Sequence, residues 1–172
     1  MNKRTVFLCS MKKTAAAVDL DNATSSYIDV LKAKLPALSK EEFRSQYAKF
    51  AQDPLLPGLE EFLTQTLVAL KYRADYLEND CIRFVELLLQ MSSSLAEDTV
   101  LLIVQVFYMM VQYPQAMDLN LSTSGIKVLI SFDNQKVKTY VCAIFQIIFK
   151  IMENEQQELV GQWFVKNFEN LD

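Results

Sequence analysis

The groups able to do chemistry in this chain are carboxylates, lysines and three thiols, because none of its 172 residues is a histidine. Histidine is the commonest general base near neutral pH and the commonest metal ligand. Its absence excludes Ser/His/Asp and Cys/His nucleophilic sites and zinc sites built from Cys and His. Cys9, Cys81 and Cys142 are far apart in sequence and form no CxxC pair. An odd, dispersed set in apolar surroundings reads as reduced core thiols in a reducing compartment. Carboxylates pair at Glu41/Glu42, Glu60/Glu61 and Glu97/Asp98. Each pair falls in the first turn of a predicted helix, where the helix dipole favours acids, so they read as structural and not catalytic. Asp19/Asp21 fits a tail or a cap. No GxxxxGK[ST] or GxGxxG loop and no EF-hand spacing occurs. The sequence therefore predicts no catalytic residue, no cofactor and no metal.

The chain around these groups is 51% apolar and of single-domain length. It needs neither metal nor disulfide to bury a core. Its 17 basic and 21 acidic residues give a net charge of -4. Lys3, Arg4, Lys12 and Lys13 all precede the first acid, Asp19, leaving 13 basic against 21 acidic residues beyond them. A body carrying -8 is a poor match for a phosphate backbone, so no nucleic acid is expected. Residues 1–22 read as a basic tail or short docked segment and 23–172 as one helical domain. The acid-free stretch 1–18 also fits a mitochondrial presequence. Val6 to Cys9 is too short for the apolar core of a secretory signal, which takes about 7–15 residues. The expected location is cytoplasmic or nuclear. Asn22-Ala23-Thr24 and Asn120-Leu121-Ser122 match the N-glycosylation pattern by chance on this reading. The run Val100 to Val111, broken only by Gln105, is shorter than the about 20 residues a bilayer requires, so it predicts a buried helix and no membrane span.

Apolar spacing predicts the elements. Tyr27, Ile28, Leu31 and Leu35 share one face of a helix from about Thr24 to Leu35, stopped by Pro36. Ser39-Lys40-Glu41-Glu42 is a capping box opening a second, with Phe43, Tyr47 and Phe50 inward. A third spans about Leu59 to Leu77. Asn79 or Asp80 caps a fourth, with Ile82, Val85, Leu88 and Leu89 inward. The fifth, about Glu97 to Tyr113, is rich in β-branched residues. A strand is its rival reading, but its length favours a helix. A short helix over Ile126–Phe132, a long one over Gln135–Met152 and a last one from Asn154 complete seven or eight helices.

Residues 82–113 and 125–152 share an order of helix, polar break and longer apolar helix. Ile103-Val104-Gln105-Val106-Phe107-Tyr108-Met109-Met110 echoes Val141-Cys142-Ala143-Ile144-Phe145-Gln146-Ile147-Ile148 at an offset of 38 residues, near the roughly 40–47 of armadillo and HEAT units. Gly125 to Lys138 also resembles such a repeat: a glycine opens a helix with paired apolar residues, an Asp/Asn turn follows, and Val137 begins the next helix. The resemblance covers about residues 82–152. It implies an all-α stack of helical hairpins that binds proteins as a scaffold or adaptor. A compact helical bundle is the alternative.

One polar stripe suits a partner groove. Gln105, Tyr108 and Gln112 fall on one face of the fifth helix, and Gln146 and Lys150 on one face of its counterpart. Amides and a tyrosine offer hydrogen bonds at low desolvation cost. The same stripe also reads as the solvent strip of a buried helix. Trp163, on the last helix, either closes the core or anchors a partner. The expected function is binding another protein at Gln105, Tyr108, Gln112, Gln146, Lys150 and Trp163. The alternative is a dimerising or regulatory bundle, in which the last helix supports a homodimer.

Overall fold

Helix ends in this chain are set by local chemistry. The computed structural model describes residues 14–73, 75, 79–113, 128–129, 131–151, 158 and 161–162. Among them are six α-helices: α1 (Thr14–Lys34), α2 (Lys40–Gln52), α3 (Leu59–Tyr72), α4 (Asn79–Gln90), α5 (Glu97–Met110) and α6 (Gln135–Ile151). A single 3₁₀ turn, Ser92–Ser94, separates α4 from α5, and no strand occurs among the described residues. The Ser39 capping box forms as expected. Ser39 Oγ accepts from the Glu42 amide at 3.2 Å, and Glu42 Oε2 accepts from the Ser39 amide at 2.7 Å. Asn134 caps α6, its Oδ1 accepting from the amides of Lys136 and Val137 at 2.9 and 3.1 Å. Asp133 beside it is held below the usual carboxylate range by the hydrogen bond and charge of Lys138, 2.8 Å away.

Three boundaries differ from the sequence expectation. Helix α1 is already formed at Thr14, before the expected start near Thr24. Ala15 to Ala17 are strong helix formers, and no Gly or Pro interrupts the run to Lys34. Helix α3 stops at Tyr72, short of Leu77, with the Arg73 amide closing on Ala69 O. Helix α5 ends at Met110, and Val111 to Tyr113 form a turn. The fifth apolar segment is a helix and not a strand. Of the expected helix over 126–132, residues 128–129 are helical and 126, 127 and 130 lie outside the described residues, as do Trp163 and most of the helix from Asn154.

Contacts order the helices into layers. α3 lies against α1 and α5; α5 also touches α4 and α6; α2 lies on α4. Two pairs of anchors fix the direction of α3 against α5. Thr99 Oγ1 donates to Glu60 Oε1 at 2.7 Å near their N-terminal ends, and the Tyr113 hydroxyl donates to Leu70 O near their C-terminal ends. Asn134 Nδ2 to Glu97 Oε1 at 2.7 Å, and Gln105 Nε2 to Tyr140 Oη at 3.3 Å, do the same for α5 and α6. The three helices therefore run side by side in one direction. α5 and α6 also bury matching positions of the 38-residue echo: Ile103, Val106, Phe107 and Met110 on one, Val141, Ile144, Phe145 and Ile148 on the other.

The α2–α4 layer meets α3 through rings. Phe62 of α3 has its centroid 5.6 Å from Phe43, 5.0 Å from Tyr47, 5.5 Å from Phe50 and 5.7 Å from Phe84. Lys71, which holds α1, is nine residues further along α3. At 3.6 residues per turn that is about half a turn from Phe62, so α1 lies on the opposite side of α3 from the ring cluster. The loop before α3 ends at Gly58, whose φ of 98° is the left-handed conformation that glycine adopts without strain. Cys81 enters the same cluster through a hydrogen bond with Tyr47, and burial pushes its thiol from 9.0 up to about 11.

Two expectations follow. Phe62→Ala removes the ring shared by four neighbours and lowers the unfolding free energy by about 3–5 kcal/mol, read by urea denaturation. The Cys81 thiol is favoured in its protonated form by the fold. Its contribution to stability is full below pH 9.0 and is lost as pH rises through about 11. A thiol reagent at pH 8 should accordingly modify Cys81 only at the rate of global unfolding.

Candidate functional site

The polar stripe of α5 meets α1 and α6 in a hydrogen-bonded seam. Thr24, in the third turn of α1, gives its hydroxyl proton to Leu20 O at 2.8 Å. Its oxygen then accepts from the Tyr140 hydroxyl of α6, 2.7 Å away. With that proton committed, Tyr140 Oη accepts from Gln105 Nε2 at 3.3 Å. The chain Gln105, Tyr140, Thr24, Leu20 thus has one direction, and each bond polarises the next. This fixes the amide of Gln105 and leaves its Oε1 buried without a partner. Beside it, the Tyr108 hydroxyl donates to Asp21 Oδ1 at 3.0 Å, and the Tyr108 and Tyr140 rings meet edge to face at 5.5 Å. Burial first, then the hydrogen bond and charge of Asp21, then Tyr140, push the Tyr108 hydroxyl well above its ordinary 10.0.

A groove of about 540 Å³ opens next to the seam. Leu101, Leu102 and Gln105 of α5 form its floor, with Asp98 at one end; Leu20 and Tyr27 of α1 and Lys136, Thr139 and Tyr140 of α6 form its walls. Leu20, Leu101, Leu102 and Thr139 are half-buried, whereas Asp98 and Lys136 are exposed. The groove therefore joins an apolar bed to one charge of each sign.

The residues expected to bind a partner are placed unequally. Gln105 lines the groove. Tyr108 is 4% exposed, turned into the α1 interface. Gln112 is exposed beyond the end of α5, its Nε2 lying 3.9 Å from Met109 Sδ. Gln146 is half-buried and Lys150 exposed along α6. Trp163 lies outside the described residues. Sequence reading missed Thr24 and Tyr140 as polar partners. The two are 116 positions apart, and Tyr140 reads as an ordinary inward aromatic.

The paired carboxylates act as struts between elements. Glu42 caps α2, Glu60 receives Thr99 from α5, and Glu97 receives Asn134 from the start of α6. Among the described residues no three Cys, Asp or Glu side chains gather to hold a metal ion, and no helix is long and apolar enough to cross a membrane. Cys81 and Cys142 are not joined in a disulfide. Comparison with protein-family models, with curated proteins and with solved structures returns no match to this chain.

The seam makes a direct energetic prediction. Thr24→Val and Tyr140→Phe each remove one member of the chain and leave a buried neighbour unpaired, so each costs about 1–3 kcal/mol. The double variant should lose less than the sum of the two, by at least about 0.5 kcal/mol in urea denaturation. Additive losses would mean the hydroxyls act independently.

Proposed function

We propose that this chain is a non-catalytic protein-interaction subunit, an adaptor or scaffold that takes a partner peptide or helix on the face shared by α5 and α6. The observation that carries this reading is the groove. It combines half-buried Leu20, Leu101 and Leu102 with exposed charges at Asp98 and Lys136. Apolar contact supplies the affinity in such a site, and the few polar groups set register.

The armadillo/HEAT-like stack is the architecture we assign to it. Three features support that reading: the shared direction of α3, α5 and α6, the packing of α3 on α5 and of α2 on α4, and the burial of matching positions at the 38-residue offset. An acidic body makes another protein the partner we assign, and no nucleic acid. We place its work in the cytoplasm or nucleus, where thiols stay reduced.

The test is affinity capture from native lysate with the wild-type chain and with Lys136→Glu plus Thr139→Arg. These substitutions reverse one charge at the groove and fill its wall, at positions outside the buried core. A bound protein should fall at least tenfold on the variant, while circular dichroism and the melting temperature stay within about 2 °C of the wild type. Equal capture by both chains would move the site away from this groove.

A further inference from the structure

We infer that α1 is the resident ligand of a helix-binding face built by α3, α5 and α6, and that a partner helix rich in hydrogen-bond acceptors displaces it. The inference rests on the reading of the α5–α6 side of the groove as a protein-binding surface; the walls given by Leu20 and Tyr27 leave with α1. Helix α1 reaches all three helices. Asp29 and Ser25 meet Lys71 at the end of α3, Asp21 meets Tyr108 on α5, and Thr24 meets Tyr140 on α6.

The hydrogen bonds among these contacts share one polarity, while Lys32 Nζ of α1, 3.7 Å from the Tyr72 ring centroid, runs the other way. The face donates and the helix accepts. Lys71 Nζ donates to Ser25 O at 3.0 Å, Ser25 Oγ at 2.7 Å and Asp29 Oδ1 at 2.6 Å. The Tyr72, Tyr108 and Tyr140 hydroxyls donate to Asp29, Asp21 and Thr24. Asp21, Thr24, Ser25 and Asp29 are spaced i, i+3, i+4 and i+8, which puts all four acceptors on one side of a helix.

The apolar hold on α1 is slight by comparison. Between Asp19 and Lys34 only Thr24 and Ile28 are buried, whereas seven of the fourteen residues of α3 and eight of the fourteen of α5 are. Tyr27 and Val30 of α1 are 40% and 50% exposed. Polar contacts that exchange water for protein partners add little net stability each, and the Lys71–Asp29 pair is partly solvated. They set where α1 lies more than how firmly it is held. A helix so held opens at a lower free energy than the core beneath it. Its departure frees the donors of Lys71, Tyr108 and Tyr140, the last of them beside Leu101 and Leu102. The resident helix also leaves Gln105 Oε1 unpaired, so a competitor that brings one donor to that point gains a contact α1 lacks.

The experiment uses the full chain. Hydrogen exchange should show α1 amides exchanging at least tenfold faster than those of α3 and α5. Asp21→Ala with Asp29→Ala should speed α1 further and leave α3 and α5 unchanged. A fluorescent peptide with the sequence of residues 14–34 should bind that variant at least tenfold more tightly than it binds the wild type, because the resident competes less well. The same peptide carrying both alanines should bind at least tenfold more weakly. Exchange of α1 in step with α3 and α5, or fast exchange with no peptide binding to either chain, overturns the inference. Either result leaves the groove reading to its own test with the Lys136 and Thr139 variant, and equal capture there would not alter the exchange result.

Discussion

Helix α5 buries Thr99, Val100, Ile103, Val104, Val106, Phe107, Tyr108 and Met110, which together take up a little more than half of its circumference. An apolar face that wide cannot be covered by one neighbour and needs several. Each large apolar side chain removed from water contributes about 1.5–3 kcal/mol, so an uncovered side of α5 would cost several such terms at once. The cover is supplied in different ways by different neighbours. α3 and α6 flank α5 and α4 packs on it. The loops, caps and ring cluster hold those neighbours in place. The Phe62 cluster fixes α3 to α2 and α4, and Glu60 and Glu97 pin the starts of the three parallel helices to one another.

Where α1 closes the layer the cover changes in kind. Elsewhere apolar side chains interdigitate. Under α1 the contact is a run of hydroxyls, carboxylates and one ammonium, with the buried rings of Tyr108 and Tyr140 as its base. Such a seam is specific in register, because each donor needs its acceptor within hydrogen-bond reach, yet it is modest in net free energy. The groove lies at the edge of this seam, where apolar cover runs out and Leu101 and Leu102 remain half-exposed.

The helices were legible where local rules decide them. The Ser39 capping box, the Pro36 stop, the inward Phe43, Tyr47 and Phe50, and the length of the 97–110 segment all turn on residues within a few positions of each other. Helix α1 was legible only in its second half. Its first half carries few large apolar residues, so periodicity is silent there, and Thr24 looks like a boundary residue when it is in fact an interior one bonded back to Leu20. The α5 stripe was visible as a set of polar residues, but spacing alone cannot say what faces it. Gln105 lines a groove while Tyr108, three residues on, is covered. That difference depends on where a helix distant in sequence crosses, which no local pattern records.

The common direction of α3, α5 and α6 has a consequence beyond packing. In an antiparallel pair the backbone dipoles cancel, but here three of them add, each equivalent to about half a charge at either end. Glu60, Glu61, Glu97 and Asp98 sit where the positive ends of α3 and α5 gather, while α6 starts without an acid, with Lys136 in its first turn; Lys71 and Lys150 sit at the edge of the negative ends. The side chains oppose the backbone field at both edges, so the middle layer is a vector with two chemically distinct ends. A segment lying along α3 and α5, even one whose own sequence reads alike in both directions, meets carboxylates at one end and Lys71 at the other, and so has one preferred heading.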